Sequence, residues 1–381
     1  MIADVDASSV LGAAETGAMF NYGLIWFLLL LTIPLYFIQE TSGRIGAVTE
    51  EGLGVLIRNR YSPITAKVMA FPMVVTDMVT YAVEYAGIAI GSELIGLPVI
   101  LSLPFFFVVH ILIVSRRKLK ITEIVLVAVS SLLIVAFLGS LAERGIMDFS
   151  PVYFSPSPGF LFMLAVNAGA VVMPFMLFFQ SSATASKVSG IRAEKTFPEK
   201  DLAGVAVRSM RVETFAGALV SELLMIIIVM TFSGIGSHIG FVTANELSMV
   251  LSTFAGSLAP YLFGVGLIGS AFLALVVISL GSAWGFVEAI GRPRDKATPI
   301  YILESLPAVI VAMLVPSGML INIVLYLLVV FVFVLLGPAV LMGIIARDRK
   351  IMGSEATSLR GQVIYWLNVA VILSFGFAAI L

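Results

Sequence analysis

Apolar residues recur along the chain in runs of about 20, the length a helix needs to cross roughly 30 Å of hydrocarbon, and short charged segments separate them. This pattern predicts spans near 5–20, 22–40, 68–91, 98–115, 121–142, 158–185, 212–233, 255–287, 299–316, 319–345 and 361–380. Eleven transmembrane helices leave no room for a soluble domain, so the chain reads as a single all-α integral membrane domain over 1–381. One run breaks the monotony. In "NAGAVVMPFMLFFQSSA", Asn167 to Ala183, Pro174 falls near the midpoint. Proline has no N–H to donate and its ring clashes with the carbonyl four residues back, which predicts a break or kink. A backbone group freed inside lipid has no water to bond, so a polar ligand or an ion is expected to take water's place.

Charge tests the span count, because Lys and Arg concentrate in cytoplasmic loops. The loops after even-numbered spans carry Arg44, Arg58, Arg60 and Lys67; "RRKLK"; Lys187, Arg192, Lys195, Lys200, Arg208 and Arg211; Arg292, Arg294 and Lys296; and Arg347, Arg349, Lys350 and Arg360. That puts 21 of 22 basic residues on one side and only Arg144 on the other. The N-terminus is therefore expected in the cytoplasm and the C-terminal Leu381 outside. An odd count with strict alternation fits a 5+5 inverted repeat plus one peripheral helix: repeat one about 1–145, repeat two about 155–350, and the peripheral helix 361–380. Spans 1 and 6 are then equivalent, both discontinuous at the midplane, and Pro174 has a role.

Composition agrees. The 381 residues are 60% hydrophobic and 12% charged, with a mean hydropathy of +1.10. The net charge of -1 says nothing about partners, and the absence of cysteine excludes disulfides and thiolate metal sites. "MIADVDASSV" lacks a basic n-region and a small-residue cleavage site, so no removable signal peptide is expected.

Span 1, "DVDASSVLGAAETG", places Asp4, Asp6, Ser8, Ser9 and Glu15 in or beside the bilayer. A carboxylate at membrane depth costs several kcal/mol unless it is paired or coordinating, so these residues read either as a site or as a helix end in cytoplasmic water. Met173 reads either as gap-filling core or as a soft ligand, with Pro174 beside it and Ala168, Gly169 and Ala170 letting a ligand approach the backbone. A carboxylate, carbonyls and one sulfur suit a late first-row divalent ion better than Mg²⁺ or Ca²⁺. Asp77 and Glu84, seven residues apart, share one face of span 3, and Glu222 sits mid-span in "SELLMIIIVM". Each is a proton carrier or a structural acid tied between helices. His110 and His238 fall near span ends or loops and receive no role. No phosphate loop, metalloprotease helix or nucleophile elbow is present, so no enzyme is expected.

Over nearly the whole chain these residues resemble the Nramp family of divalent-metal transporters. "DASSVLGAAETGAMFNYGLIW" (Asp6 to Trp26) keeps the spacing of the family's first-helix Asp-Pro-Gly-Asn segment. "QETSGRIGAVTEEGLGVLIRNRY" (Gln39 to Tyr61), "VEYAG" (Val83 to Gly87) and "RDRKIMG" (Arg347 to Gly353) are similar to its later motifs, and "MPFM" (Met173 to Met176) stands where the family has Met-Pro-His-Asn. The resemblance implies a metal held by Asp6, Ser9, the Ala170 carbonyl and the Met173 sulfur. Ser9 replaces an amide with a hydroxyl, Ala7-Ser8 replaces Pro-Gly, Phe175 and Gln180 replace two histidines, and Tyr81 replaces the acid that partners Glu84. With Ala7-Ser8 in place of Pro-Gly, the interruption of helix 1 is expected to come from Asp and Ser side chains that compete for backbone groups.

The expectation is a LeuT-like secondary transporter of the cell (inner, cytoplasmic) membrane that imports Mn²⁺ or Fe²⁺ by alternating access, with the metal as substrate and no cofactor. Glu84 and Glu222 are its candidate proton pathway if transport is proton-coupled; the alternative is an uncoupled facilitator. A Mg²⁺ transporter of the Nramp-related kind is the second reading, and retention of Met173 argues against it. A non-transporting scaffold or metal sensor is the third. Lipid is the expected surroundings, and nucleic acid is not an expected partner.

Overall fold

The computed structural model describes residues 5–115, 119–194, 202–234, 244–315 and 317–380, and every regular element among them is a helix. Asp4, Arg116, Arg117, Lys118, Lys195, Lys200, His238 and Leu381 lie outside the described residues. The first half of the chain forms α1 (Ala7–Phe20), α2 (Ile25–Thr49), α3 (Leu53–Arg60), α4 (Pro63–Leu94), α5 (Val99–Ser115) and α6 (Leu119–Arg144). Then come α7 (Pro158–Val171), α8 (Pro174–Ala193), α9 (Leu202–Phe232), α10 (Ala244–Ala255), α11 (Ala259–Ile278), a π-helical stretch (Ser279–Ala283) and α12 (Trp284–Ala289). The last are α13 (Thr298–Leu314), α14 (Ser317–Val334), α15 (Leu336–Arg347), α16 (Arg349–Met352) and α17 (Leu359–Ala378).

Among the described residues, eight helical stretches are long and apolar enough to cross a membrane, including α7 with α8 and α11 through α12; α5 is apolar but shorter. Their surface is what lipid requires. On α5, Leu101, Phe105, Val108 and Leu112 are exposed at helical spacing, a stripe that would be untenable in water.

Several boundaries differ from the hydropathy pattern, and capping explains the clearest case. α4 begins at Pro63 rather than near 68 because the Ser62 hydroxyl accepts from the Thr65 amide at 3.0 Å and Pro63 occupies the first helical position. The run predicted over 319–345 divides at Leu335 into α14 and α15. α3 and α10 fall between or at the edge of the predicted spans, since 20-residue apolar runs do not mark helices of 8 and 12 residues.

α1 is the axis of the bundle. It packs against α4, α7, α9, α11 and α14, and the positions from Ala7 to Ala14 are buried. Small residues permit this. A Cβ on Gly17 would lie 2.3 Å from the Val229 carbonyl oxygen, and one on Gly169 of α7 would overlap the Leu328 carbonyl of α14.

The charged segments sort by end. At one end Arg60 pairs with Asp348 at 2.6 Å and Arg211 with Glu40 at 2.8 Å. Arg192 pairs there with Glu50, and Arg44 donates to the Glu355 carbonyl at 2.7 Å. These contacts tie the segments after α2, α8 and α15 to one another. The Lys350 amide and Arg60 hold the exposed Asp348 carboxyl below the usual carboxylate range. At the other end Arg144 donates to the Ser233 carbonyl, and the Met147 amide donates to the Tyr22 hydroxyl at 2.9 Å. Tyr22 precedes α2 and Glu50 ends it, so the two groups are separated by the helix's length, roughly 37 Å at 1.5 Å per residue.

Candidate metal site

α1 starts at an aspartate. Asp6 is its N-cap, with extended backbone (φ -89°, ψ 178°), and its Oδ1 accepts from the Ser9 amide at 2.6 Å and the Ser8 hydroxyl at 2.7 Å. A helix start leaves four amides without carbonyl partners. Asp6 satisfies that of Ser9, and Glu84 of α4 satisfies that of Ala7 through Oε2 at 2.9 Å. The backbone donors of this segment are thus taken by Asp6 and by Glu84 of another helix. The Ser8 hydroxyl bonds Asp6 and not the backbone, so the expected competition by Ser side chains is not what interrupts the helix here. Asp6 and Glu84 are wholly buried with their carboxyls against one another, and no N–H or O–H of the protein donates to Asp6 Oδ2 or Glu84 Oε1. α4 comes this close because Gly87 has no Cβ; one there would lie 2.5 Å from the Ala7 Cβ.

The second interruption lies between α7 and α8. Val172 (φ -131°, ψ 85°) and Met173 (φ -85°, ψ 142°) leave helical geometry, and Pro174 opens α8 at its first position. Pro174 is therefore not a kink inside one helix. It forces the preceding residue into the extended region and starts a new helix where its missing N–H costs nothing. The same proline stands four residues after Ala170, so the Ala170 carbonyl has no α-helical donor. Met173 is completely buried and makes no side-chain cap.

Two contacts bring these interruptions to one level. α1 and α7 run antiparallel: Phe20 meets Phe160 edge-on at 5.6 Å, and Asn167 Nδ2 donates to the Thr16 hydroxyl at 2.9 Å. Descending seven residues from Thr16 reaches Ser9, and advancing seven from Asn167 reaches Pro174. At about 1.5 Å per residue the first displacement is about 10 Å, and the second is about 6 Å to Val171, where α7 ends, followed by the extended Val172 and Met173. The capped start of α1 and the Met173–Pro174 break thus face each other across the bundle core.

The remaining predicted residues divide. Ser9 is buried beside Asp6. Glu222 is buried on α9, which packs against α1 and α2. Asp77 and Glu84 do share a face of α4, but only Glu84 reaches α1. His110 corrects the sequence reading: it is no span-end residue but lies inside α5, fully buried, with Nδ1 3.0 Å from the Tyr85 hydroxyl and Nε2 2.7 Å from Ser279. Reading by motif also passed over Glu304 of α13, although a lone acid in "YILESLP" is the same signal that singled out Glu222. Among the described residues no three His, Cys, Asp or Glu converge, so a metal here would depend on neutral donors as well.

The sequence profile of the natural resistance-associated macrophage protein-like family, Nramp, matches residues 1–381. The chain belongs to the Nramp family. It is 25% identical over 290 residues to the divalent metal cation transporter MntH of Verminephrobacter eiseniae, which covers 74% of this chain and 63% of that protein. The chain thus spans under two thirds of the length of that curated relative. Its fold is similar to the crystal structure of the Eremococcus coleocola manganese transporter in complex with an aromatic bis-isothiourea substituted compound. There the TM-score is 0.78 at 16% identity, over 98% of this chain and 83% of that one. It is also similar, at a TM-score of 0.58 and 10% identity, to Mhp1, a nucleobase-cation-symport-1 family transporter, over 100% of this chain and 91% of that one.

Where this Nramp chain departs from the family motifs, apolar packing or hydrogen bonds to neighbouring hydroxyls take over. Phe175 is buried with its carbonyl against Gly281 of the π stretch, where a Cβ would approach to 2.5 Å. Gln180 donates to the Thr214 hydroxyl at 3.4 Å, and the Tyr81 hydroxyl lies 2.8 Å from that of Ser279.

Proposed function

We propose that this Nramp protein is a secondary transporter that moves Mn²⁺ or Fe²⁺ into the cell by alternating access, with the metal as substrate. The ligands would be Asp6, Ser9, the Ala170 carbonyl and the Met173 sulfur. The observation that carries the reading is the facing pair of interruptions. They offer an unpartnered carboxylate oxygen at the start of α1 and a carbonyl without a helical donor beside a buried thioether at the end of α7. One hard anionic oxygen, neutral oxygens and one soft sulfur favour a late first-row ion over Mg²⁺ or Ca²⁺. A non-transporting scaffold would have no need to bury an uncompensated Asp6. The decisive assay is Mn²⁺ uptake into proteoliposomes reconstituted with the full chain; a scaffold or sensor gives no flux.

Within this reading α1, α5 and α6 complete eleven spans with the eight long apolar stretches. The chain folds as a LeuT-like 5+5 inverted repeat, repeat one about 1–145 and repeat two about 155–350, with 361–380 peripheral. The gathering of basic segments at one end supports a cytoplasmic N-terminus and an external C-terminus. A cysteine introduced at Ile380 is then expected to react with an impermeant maleimide added to intact cells. Reaction only after lysis sinks both the topology and the repeat.

Glu84 is the residue placed to couple protons to metal: it is buried, it caps the amide next to Asp6, and it has one free oxygen. Glutamine in its place can still accept from Ala7 but cannot titrate. Glu84→Gln is expected to keep Mn²⁺ affinity within about twofold, a few tenths of a kcal/mol, while uptake loses its pH dependence. A pH dye inside the vesicles decides the wild-type case, because metal entry without acidification makes the protein a facilitator and leaves metal transport intact.

A further inference from the structure

We propose a second cation site, formed by Asp77 and Glu304, that takes a hard divalent ion coordinated by oxygen alone. It lies seven residues from Glu84 along α4, about 10 Å toward Pro63. The inference does not depend on the reading of Asp6 and Met173.

Three elements converge there. α4 brings Asp77 and, one turn on, Tyr81; the π stretch brings Ser279 and Ser282; α13 brings Glu304. α13 packs along α4, and the Glu304 charge acts on both Asp77 and Tyr81. Asp77 is wholly buried and neither oxygen accepts a well-formed hydrogen bond; the donor that acts on it is the Ser282 hydroxyl, which Glu304 also draws on. Glu304 is 2% exposed; its Oε1 accepts from the Ser282 hydroxyl at 3.3 Å, and its Oε2 has no partner. Neither carboxyl joins an ion pair with Lys or Arg among the described residues.

The neighbouring donors are already committed. The Ser279 hydroxyl donates to the Leu275 carbonyl at 2.8 Å, so Tyr81 and His110 Nε2 donate to Ser279, and the Tyr85 hydroxyl lies 3.0 Å from His110 Nδ1. This arrangement leaves the two acids the Ser282 hydroxyl, shared between them, and the Tyr81 hydroxyl beside Glu304. Two carboxyls with three oxygens unspent, buried without a cation, form an arrangement a divalent ion would neutralise. Two carboxylates and a serine hydroxyl offer oxygen only, the donor set of Ca²⁺, Mg²⁺ or Mn²⁺ rather than of a sulfur-seeking metal. A π stretch carries both serines, Ser279 against Tyr81 of α4 and Ser282 against Glu304 of α13, and such segments recur at functional sites.

The test is calorimetric titration of the purified full-length protein with Ca²⁺ at neutral pH. Ca²⁺ is chosen because it discriminates against thioether. Wild type and Asp6→Ala are expected to bind one Ca²⁺ per chain with similar affinity, and Asp77→Asn and Glu304→Gln are each expected to weaken it by roughly 10-fold or more. Absence of Ca²⁺ binding in the wild type means that protons already neutralise the two acids, and overturns the proposal. Binding that survives both Asp77→Asn and Glu304→Gln, or that disappears in Asp6→Ala alone, places the ion elsewhere and also overturns it. If one of the two α4–α13 variants does not fold, the other decides. The Ca²⁺-dependent rise in melting temperature provides a parallel readout, expected in Asp6→Ala and absent from the folded variant.

Discussion

Asp6→Asn is expected to abolish measurable Mn²⁺ uptake while leaving the protein as stable as the wild type. The two halves of this outcome rest on different atoms of one side chain. Oδ1 is the N-cap of α1, accepting from Ser9 and Ser8, and asparagine caps a helix as well as aspartate does. Oδ2 receives no N–H or O–H donor, faces only the Glu84 carboxyl, and is the anionic ligand proposed for the metal. Asparagine keeps the first function and removes the charge of the second, so affinity should fall by about 100-fold, roughly 2.7 kcal/mol. Asp6→Ala loses both, with a further cost of about 1 kcal/mol from the cap and a lower melting temperature. Isothermal titration with Mn²⁺ in an Asp77→Asn background, which removes the second site, and thermal unfolding of the two variants check this directly. An Asp6→Asn protein that binds Mn²⁺ within twofold of wild type would reduce Asp6 to a helix cap and remove the anchor of the proposed site.

The sequence disclosed those features that depend on covalent chemistry near one residue. Pro174 cannot donate, so a break beside it was legible, and so was the one-sided distribution of Lys and Arg. The Nramp-like motifs were legible as markers of the fold, but the structure gives many of their residues packing duties rather than ligand duties. Ser42 of "QETSGRIG" donates to the Leu177 carbonyl at 2.6 Å, and Gly46 lets α2 lie against the Ser181 carbonyl. Illegible were contacts made between distant segments. Glu84 caps Ala7 across 77 residues of chain, and no local pattern announces which helix an acid faces. The π stretch at Ser279–Ala283 was invisible for the same reason. Its sequence, "SLGSA", reads as ordinary apolar helix, and nothing local to it announces its contacts with Phe175 and α4. His110 was misplaced because a histidine near the end of an apolar run reads as interfacial until its partners on α4 and the π stretch are known.

Met173→Leu is expected to weaken Cd²⁺ and Mn²⁺ binding by roughly 10-fold, about 1.4 kcal/mol, while leaving Ca²⁺ affinity nearly unchanged, so that discrimination between them narrows. Leucine rather than alanine makes the result readable. Met173 is wholly buried, and its truncation to alanine would cost about 2–5 kcal/mol through the cavity alone. Leucine conserves volume at a cost of under about 1.5 kcal/mol and removes only the sulfur. A core methionine and a ligand methionine therefore part company. If Met173 is core, Met173→Leu binds Cd²⁺ as the wild type does, and Met173→Ala loses stability without losing selectivity. If it is a ligand, both variants lose preference for the thiophilic ion, because the oxygens of Asp6, Ser9 and Ala170 that remain are the donor set a hard ion prefers. The Mg²⁺-carrier reading meets its test in the same titration, since a protein built for Mg²⁺ would bind it equally well with the sulfur or without.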